Sequence, residues 1–166
     1  MNTIDILRAL VGFDTTSRLS NLQLIAWVEA YLNEHGVASR RLPDSTGEKA
    51  TLWATIGPEG LPGVILSGHT DVVPVEGQDW SSDPFTLTER DGRLYGRGTC
   101  DMKGYLACCL SRVPAMVKAP LTRPVHLAFS YDEEIGCVGV RDLVAELAAA
   151  ELKPAACFVG EPSSMQ

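Results

Sequence analysis

Val64-Ile65-Leu66-Ser67-Gly68-His69-Thr70-Asp71 is an apolar run with β-branched residues, a small Ser-Gly step, then an imidazole and a carboxylate two residues apart. The same grammar occurs twice more. Val125-His126-Leu127-Ala128-Phe129 leads to Asp132-Glu133-Glu134, and Ala155-Ala156-Cys157-Phe158-Val159 leads through Gly160 to Glu161. Short apolar runs bounded by turn residues read as buried strands of a parallel sheet. Ligands of such sheets bind beyond the carboxyl ends of the strands. One imidazole and a set of carboxylates are therefore expected at one edge of one sheet, which is the donor set of a metal site.

A fourth segment adds to that edge. Gly96-Arg97-Gly98-Thr99-Cys100-Asp101-Met102-Lys103-Gly104 is a glycine-punctuated loop that opens into an apolar helical stretch from about Tyr105 to Lys118. Asp101 stands where that helix begins. Taken alone, it reads as an N-cap that satisfies orphan N–H groups. Beside three strand ends bearing ligand-type residues, it reads as a ligand.

Working outward, Ile4, Leu7, Leu10 and Val11 recur at helical spacing, and Asp14-Thr15-Thr16-Ser17 breaks the pattern. A second helix is predicted from Asn21 to His35, closed by Gly36. Strands are expected at Ala38–Leu42, Thr51–Ile56 and Gly63–Ser67, with a short one at Phe85–Thr88 inside a turn-rich stretch. A helix from Val138 to Ala149 precedes the last strand. Strands alternating with helices argue an α/β domain with a mostly parallel central sheet.

Composition bounds the function classes. At 166 residues the chain is one domain's worth, enough to bury about 70% of its unfolded surface. A formal charge of −7 and the lack of any basic patch argue against nucleic acid or an anionic membrane as partner. Several of the excess acids are the candidate ligands, so bound cations would offset part of the imbalance. The cysteines, Cys100, Cys108, Cys109, Cys137 and Cys157, are odd in number and form no CxxC pair. Four fall in or beside predicted helices and strands as small apolar fillers, which suggests a reducing compartment. No secretory leader pattern and no membrane-length apolar stretch is present, and a cytoplasmic location is expected.

The chemistry follows from geometry. In His69-x-Asp71 an extended backbone points both side chains to one face. Asp71 can then hold the second imidazole N–H while the first nitrogen binds an ion. Glu133 and Glu134 are adjacent, so in an extended segment they face opposite ways, one toward metal and one toward substrate. His126, mid-strand among apolar residues, reads as core, and His35 as a helix C-terminal residue. Carboxylates plus one imidazole without thiolates suit zinc, cobalt or manganese. Asp101 has two oxygens and can bridge two ions. Two ions about 3.5–4 Å apart can share an activated hydroxide, with Glu133 moving its proton to a leaving amine. The implied reaction is amide hydrolysis.

SGHTDVVPV (67–75), GRGTCDMKG (96–104), YDEEIGCVG (131–139) and GEPSSM (160–165) together resemble the M20 family of metallopeptidases and deacylases. The flanking segments DTTSRLSNLQLIAWVEAYL (14–32) and GQDWSSDPFTL (77–87) are most similar to its acetylornithine deacetylase branch. The resemblance implies a three-layer αβα zinc-exopeptidase-like catalytic domain and hydrolysis of N-acetyl-L-ornithine to ornithine and acetate in arginine biosynthesis. Desuccinylases of succinyl-diaminopimelate and glutamate-releasing carboxypeptidases share the motifs and stay open. By the same resemblance His69 and Glu161 hold one metal, Asp101 bridges, Glu134 holds the second metal, Glu133 is the general base, and Asp71 orients the imidazole. Two Zn2+ ions are implied per complete site, with Co2+ or Mn2+ also suitable, and a small N-acylated amino acid as substrate.

The family's inserted smaller domain, which forms a homodimer and contacts substrate, and a later histidine for the second metal find no counterpart in residues 1–166. The chain therefore reads as the N-terminal portion of a truncated catalytic domain, or as a non-catalytic fragment. One ion would keep His69, Asp101 and Glu161, the other only Asp101 and Glu134. Weak or no turnover is expected from these residues alone, and the sheet is expected to expose an edge and an apolar face.

Overall fold

A computed structural model describes residues 1–150 and 153–163. Ser164 and Met165 of the last motif lie outside the described residues. Eleven elements follow in order: α1 (Thr3–Val11), α2 (Leu22–Glu34), β1 (Ser39–Pro43), β2 (Ala50–Ile56), β3 (Val64–His69), β4 (Thr88–Arg90), β5 (Arg93–Tyr95), α3 (Lys103–Lys118), β6 (Val125–Ser130), α4 (Arg141–Ala149) and β7 (Ala156–Val159).

The main sheet has the order β1-β2-β6-β3-β7. β2 runs antiparallel to both neighbours, whereas β6, β3 and β7 are mutually parallel. Four strands thus point one way and β2 alone opposes them, so the sheet is mostly parallel. Alternation along each strand sends side chains to two faces. Leu52, Ala54, Ile56, Leu127 and Phe129 pack with residues of α1, α2 and α3 on one face, and Trp53, Ile65 and Ala128 pack with Leu143 of α4 on the other. The result is three layers, helix–sheet–helix. Gly68 is what lets α3 lie against β3, because a Cβ there would stand 2.7 Å from Leu106 Cδ2 and 2.9 Å from Met102 Cε.

Local chemistry explains the element ends. Asn2 and Asp5 form a reciprocal capping box at the start of α1. Asn21, at the start of α2, makes no cap; its amide instead bonds Ala50 and Thr70. Inside α3, Pro114 has no N–H for the carbonyl of Leu110, four residues back. The Tyr31 hydroxyl of α2 donates to that carbonyl at 3.1 Å. A helix-breaking residue is tolerated because a neighbouring helix supplies the missing donor.

The strand expected at Phe85–Thr88 is displaced to Thr88–Arg90. Asp83 captures the residues before it, its carboxylate accepting from Phe85 N and the Thr86 hydroxyl, which holds them in a turn. Thr88–Arg90 then pairs with Arg93–Tyr95 across Asp91-Gly92, both at positive φ (53° and 68°), the two-residue turn that suits hairpin twist. The helix expected from Val138 begins at Arg141, and the one expected from Tyr105 begins at Lys103. Of the five cysteines only Cys109 is buried; the other four are exposed, so they are not core fillers. β7 pairs with β3 alone among the described residues, and Phe158 and Val159 on it are each 59% exposed.

Tyr31→Phe leaves the buried Leu110 carbonyl without its donor and is expected to lower the unfolding free energy by about 1–3 kcal/mol. Urea denaturation of the two forms measures it, and a change near zero would contradict the account of how Pro114 is accommodated.

Candidate metal centre

The parallel trio β6-β3-β7 aligns three carboxyl ends. His69 is the last residue of β3 and pairs in register with Ser130, the last of β6; Ser67 pairs with Val159, the last of β7. Asp132, Glu133 and Glu134 follow β6 after Tyr131, and Glu161 follows β7 by two residues. Parallel pairing alone therefore brings chain segments some 30–90 residues apart to one edge.

Asp101 arrives from another direction. The loop Gly96–Met102 folds over the start of α3, with Lys103 N bonded to Gly98 O and Gly104 lying so close that a Cβ would meet Thr99 O at 2.3 Å. Met102 occupies the N-cap position without a side-chain cap, so Asp101 is not capping α3. Its Oδ1 lies 3.0 Å from His69 Nε2.

His69 is 1% exposed and stands at the centre. Its Nδ1 lies 2.8 Å from the backbone carbonyl of Asp71 and 3.4 Å from that residue's Oδ1. A carbonyl only accepts, so Nδ1 carries the proton and Nε2 is left to bind. Around Nε2 stand Asp101 Oδ1 at 3.0 Å, Glu161 Oε1 at 3.6 Å and Glu133 Oε2 at 3.9 Å. Ligand-type atoms of His69, Glu133 and Glu161 lie within 4.8 Å of one another, as do those of His69, Asp101 and Glu134. The two glutamates thus fall in different groups on either side of the imidazole. Each side opens to a cavity: about 220 Å³ lined in part by His69, Glu133, Cys137 and Glu161, and about 240 Å³ lined in part by Arg97, Cys100, Asp101 and Glu134. A larger cavity beside Gly57 and Pro120 has Glu59 as its one ionisable residue and none of these groups.

Asp71 is 2% exposed and its carboxylate faces inward as a hub. It accepts from the Ser17 hydroxyl at 2.7 Å and from the backbone N–H groups of Glu133 and Glu134 at 3.1 and 3.3 Å. Burial pushes its pKa up, but bonds from His69, Ser17 and Glu133 more than reverse this and hold it below the usual carboxylate range. His69 shows the complementary balance. Burial opposes its charge, yet the hydrogen bond and charge of Asp71, then Glu161 and Asp101, carry its pKa up to about 9. Glu134 is raised by burial and by the charge of Asp101, and Glu161 by burial and then by Asp101 and Glu133. A free imidazole nitrogen facing crowded carboxylates that resist ionising together is the donor chemistry a divalent cation relieves, so the residues present fit a metal.

Several residues at this edge are not legible in sequence. Lys103 is fully buried, its ammonium bonded to Phe13 O at 2.7 Å; burial pushes its pKa down to about 7 against the charges of Asp14 and Asp71. The segment before α2 runs beside residues 70–72: Thr15 donates its hydroxyl to Thr70 O, and Ser17 N and Val72 N bond Val72 O and Thr15 O. The sequence marked Asp14–Ser17 as a helix breaker and as part of a flanking segment of the family resemblance, with no place at this edge. The Cys137 thiol lies 3.3 Å from Glu133 Oε1.

The profile of Peptidase family M20/M25/M40 matches residues 65–166. The chain belongs to this family. Acetylornithine deacetylase of Shigella sonnei is 38% identical over 170 residues, covering 98% of this chain and 43% of the relative; that of Edwardsiella ictaluri is 38% identical over 148 residues, covering 89% and 38%. The chain thus spans about two fifths of the length of these curated relatives. Among solved structures, the M20 family metallo-carboxypeptidase Sso-CP2 from Sulfolobus solfataricus superposes with a TM-score of 0.82 at 23% identity over 96% of this chain and 37% of that one. Human carnosine dipeptidase 1 gives 0.79 at 24% identity over 95% and 37%. These structures establish the shared α/β fold. Among the described residues, no helix is long and apolar enough to cross a membrane.

With His69 raised from 6.5 to about 9 in the metal-free chain, its charged form contributes stability that is fully present below about pH 6.5 and is lost as pH rises through about 9. A bound ion competes with that same proton, so Zn2+ affinity should climb between these pH values. An NMR titration of the His69 ring checks the first point, and Asp71→Asn should bring the midpoint down; a midpoint at 6.5 in the unaltered chain would refute the balance described.

Proposed function

We propose that this chain carries the metal-binding part of a metal-dependent amide hydrolase that removes an acyl group from an N-acylated amino acid, with N-acetyl-L-ornithine as substrate. One observation carries the reading: the Nε2 of a fully buried histidine, its tautomer set by a backbone carbonyl, faces carboxylates from three separate chain segments. The identity to acetylornithine deacetylases over most of the chain supports the choice of substrate. Residues 1–166 are proposed to be the N-terminal portion of the catalytic domain, with the dimerising segment and a further metal ligand supplied by sequence beyond them. The five unpaired cysteines suit a reducing compartment such as the cytoplasm.

In this reading His69, Asp101 and Glu161 would hold one ion, and Asp101 with Glu134 would supply part of the sphere of a second. The ions, Zn2+ or Co2+, supply when bound a water acidified toward neutral pH and an electrophile for the amide oxygen. Asp71 keeps the His69 proton on Nδ1 and anchors the backbone of both glutamates. Glu133 takes the proton from the attacking water on a carboxylate oxygen and returns it to the departing amine nitrogen. Its place beside the 220 Å³ cavity, across the imidazole from Glu134, suits it to face substrate.

The test is ornithine release from N-acetyl-L-ornithine by the chain with Zn2+, alone and mixed with the complementary segment of a curated relative. Little turnover is expected alone and clear turnover from the pair. Glu133→Gln in the pair should cut kcat by about a hundredfold or more while Zn2+ still binds. Full activity of that variant would remove Glu133 as the base, and preference for succinylated or glutamyl substrates would move the chain to another branch of the family.

A further inference from the structure

Lys49 sits at the end of the β1–β2 turn, immediately before β2, and its ammonium reaches into the site region. It pairs with Asp132 Oδ1 at 2.5 Å and also donates to the carbonyl of Ser17, with the Lys49 and Asp132 side chains only 15% and 12% exposed. Ser17 turns its hydroxyl the other way, onto Asp71 Oδ2, and Asp71 Oδ1 receives the N–H of Glu133, the neighbour of Asp132. The contacts close on themselves: Lys49, Asp132, the Glu133 amide, Asp71, Ser17 and back to Lys49.

We propose that Lys49 is a positioning residue for the acidic turn, acting through this ring to set Glu133 and Glu134 against His69. The inference rests on the reading of those glutamates as base and ligand. Three features favour it over a bland surface ion pair. Asp132 adopts a positive φ of 53°, a conformation that needs support in a non-glycine residue. Asp71 holds the Glu133 and Glu134 amides, and main-chain bonds shape the rest of the turn, Gly136 N and Cys137 N to Glu133 O and Val138 N to Asp132 O; the Asp132 side chain is fixed by Lys49. Finally, Lys49 is the cation the ring contains: Lys103 is bonded to Phe13 O and Arg18 is paired with Glu76. Removing Lys49 would leave the largely buried Asp132 carboxylate without the cation that pairs with it, which tends to push such a turn outward.

The experiment is a Co2+ titration of the chain by visible absorption, which reads ligand geometry as well as affinity. Lys49→Met should weaken Co2+ binding by about tenfold to a hundredfold, the usual effect of removing an outer-shell partner, and alter the absorption band. Ser17→Ala breaks the ring at another point, so it should shift the same band, and the double variant should lose less than the sum of the two. Should Lys49→Met show no cooperative thermal transition, Asp132→Asn removes the same ion pair while keeping a residue type tolerated at positive φ, and must give the same loss. A folded Lys49→Met or Asp132→Asn chain with unchanged Co2+ affinity and band would overturn the inference, even if its melting temperature fell. An unaltered chain that binds no Co2+ would instead overturn the metal reading beneath it.

Discussion

A buried carboxylate has to be surrounded by donors, and Asp71 shows how much of a molecule that requirement can organise. Its side chain is 2% exposed, and an unpaired charge at such a depth would be prohibitive. Three donors from two places make it tolerable: the Ser17 hydroxyl before α2, and the amides of Glu133 and Glu134 after β6. Its own backbone carbonyl holds the imidazole of His69. One residue thereby ties the ends of two strands and the segment leading into α2 into a single rigid edge.

The layers beneath exist to hold that edge still. β6 and β3 run parallel with their ends level and β7 stops two residues short of them, and the helices α1–α3 and α4 cover the two faces. The close approach of α3 to β3 at Gly68 also delivers Asp101 from the loop at the head of the helix. Packing and site are thus one arrangement: the contact that buries Leu106 and Met102 also presents a carboxylate to His69.

Electrostatics favour a cation at this edge. Burial and mutual repulsion raise Glu134 and Glu161, while Asp71, then Glu161 and Asp101, raise His69 against its burial. In the absence of a metal, a proton on the imidazole partly plays the cation's part. Lys49 and Lys103 contribute from beneath, one in the ring with Asp132 and Ser17, the other bonded to Phe13 O beside Asp14 and Asp71.

Apolar runs leading to His69, Glu133-Glu134 and Glu161 announced the parallel strands and the convergence of ligand-type residues, because strand periodicity and the carboxyl-end rule act locally and leave a mark in the residues themselves. The strand at Thr88–Arg90 was misplaced because the pull of Asp83 on its neighbours competes with β propensity, although Asp91-Gly92 carried the hairpin signal. Three of the four cysteines expected as fillers are exposed and Cys109 is buried, since small apolar character does not say which side of an element faces water. The chain alone therefore determined the fold class and which ligand-type residues stand just past the strands. Only the tertiary structure decided that Asp71's carbonyl and not its carboxylate is the imidazole's nearer partner, that Glu133 and Glu134 part on either side of His69, and that Lys49 closes a ring with Asp132 and Ser17. The last two depend on groups about 30 to 80 residues apart meeting at one edge, and no local pattern encodes a meeting of that kind.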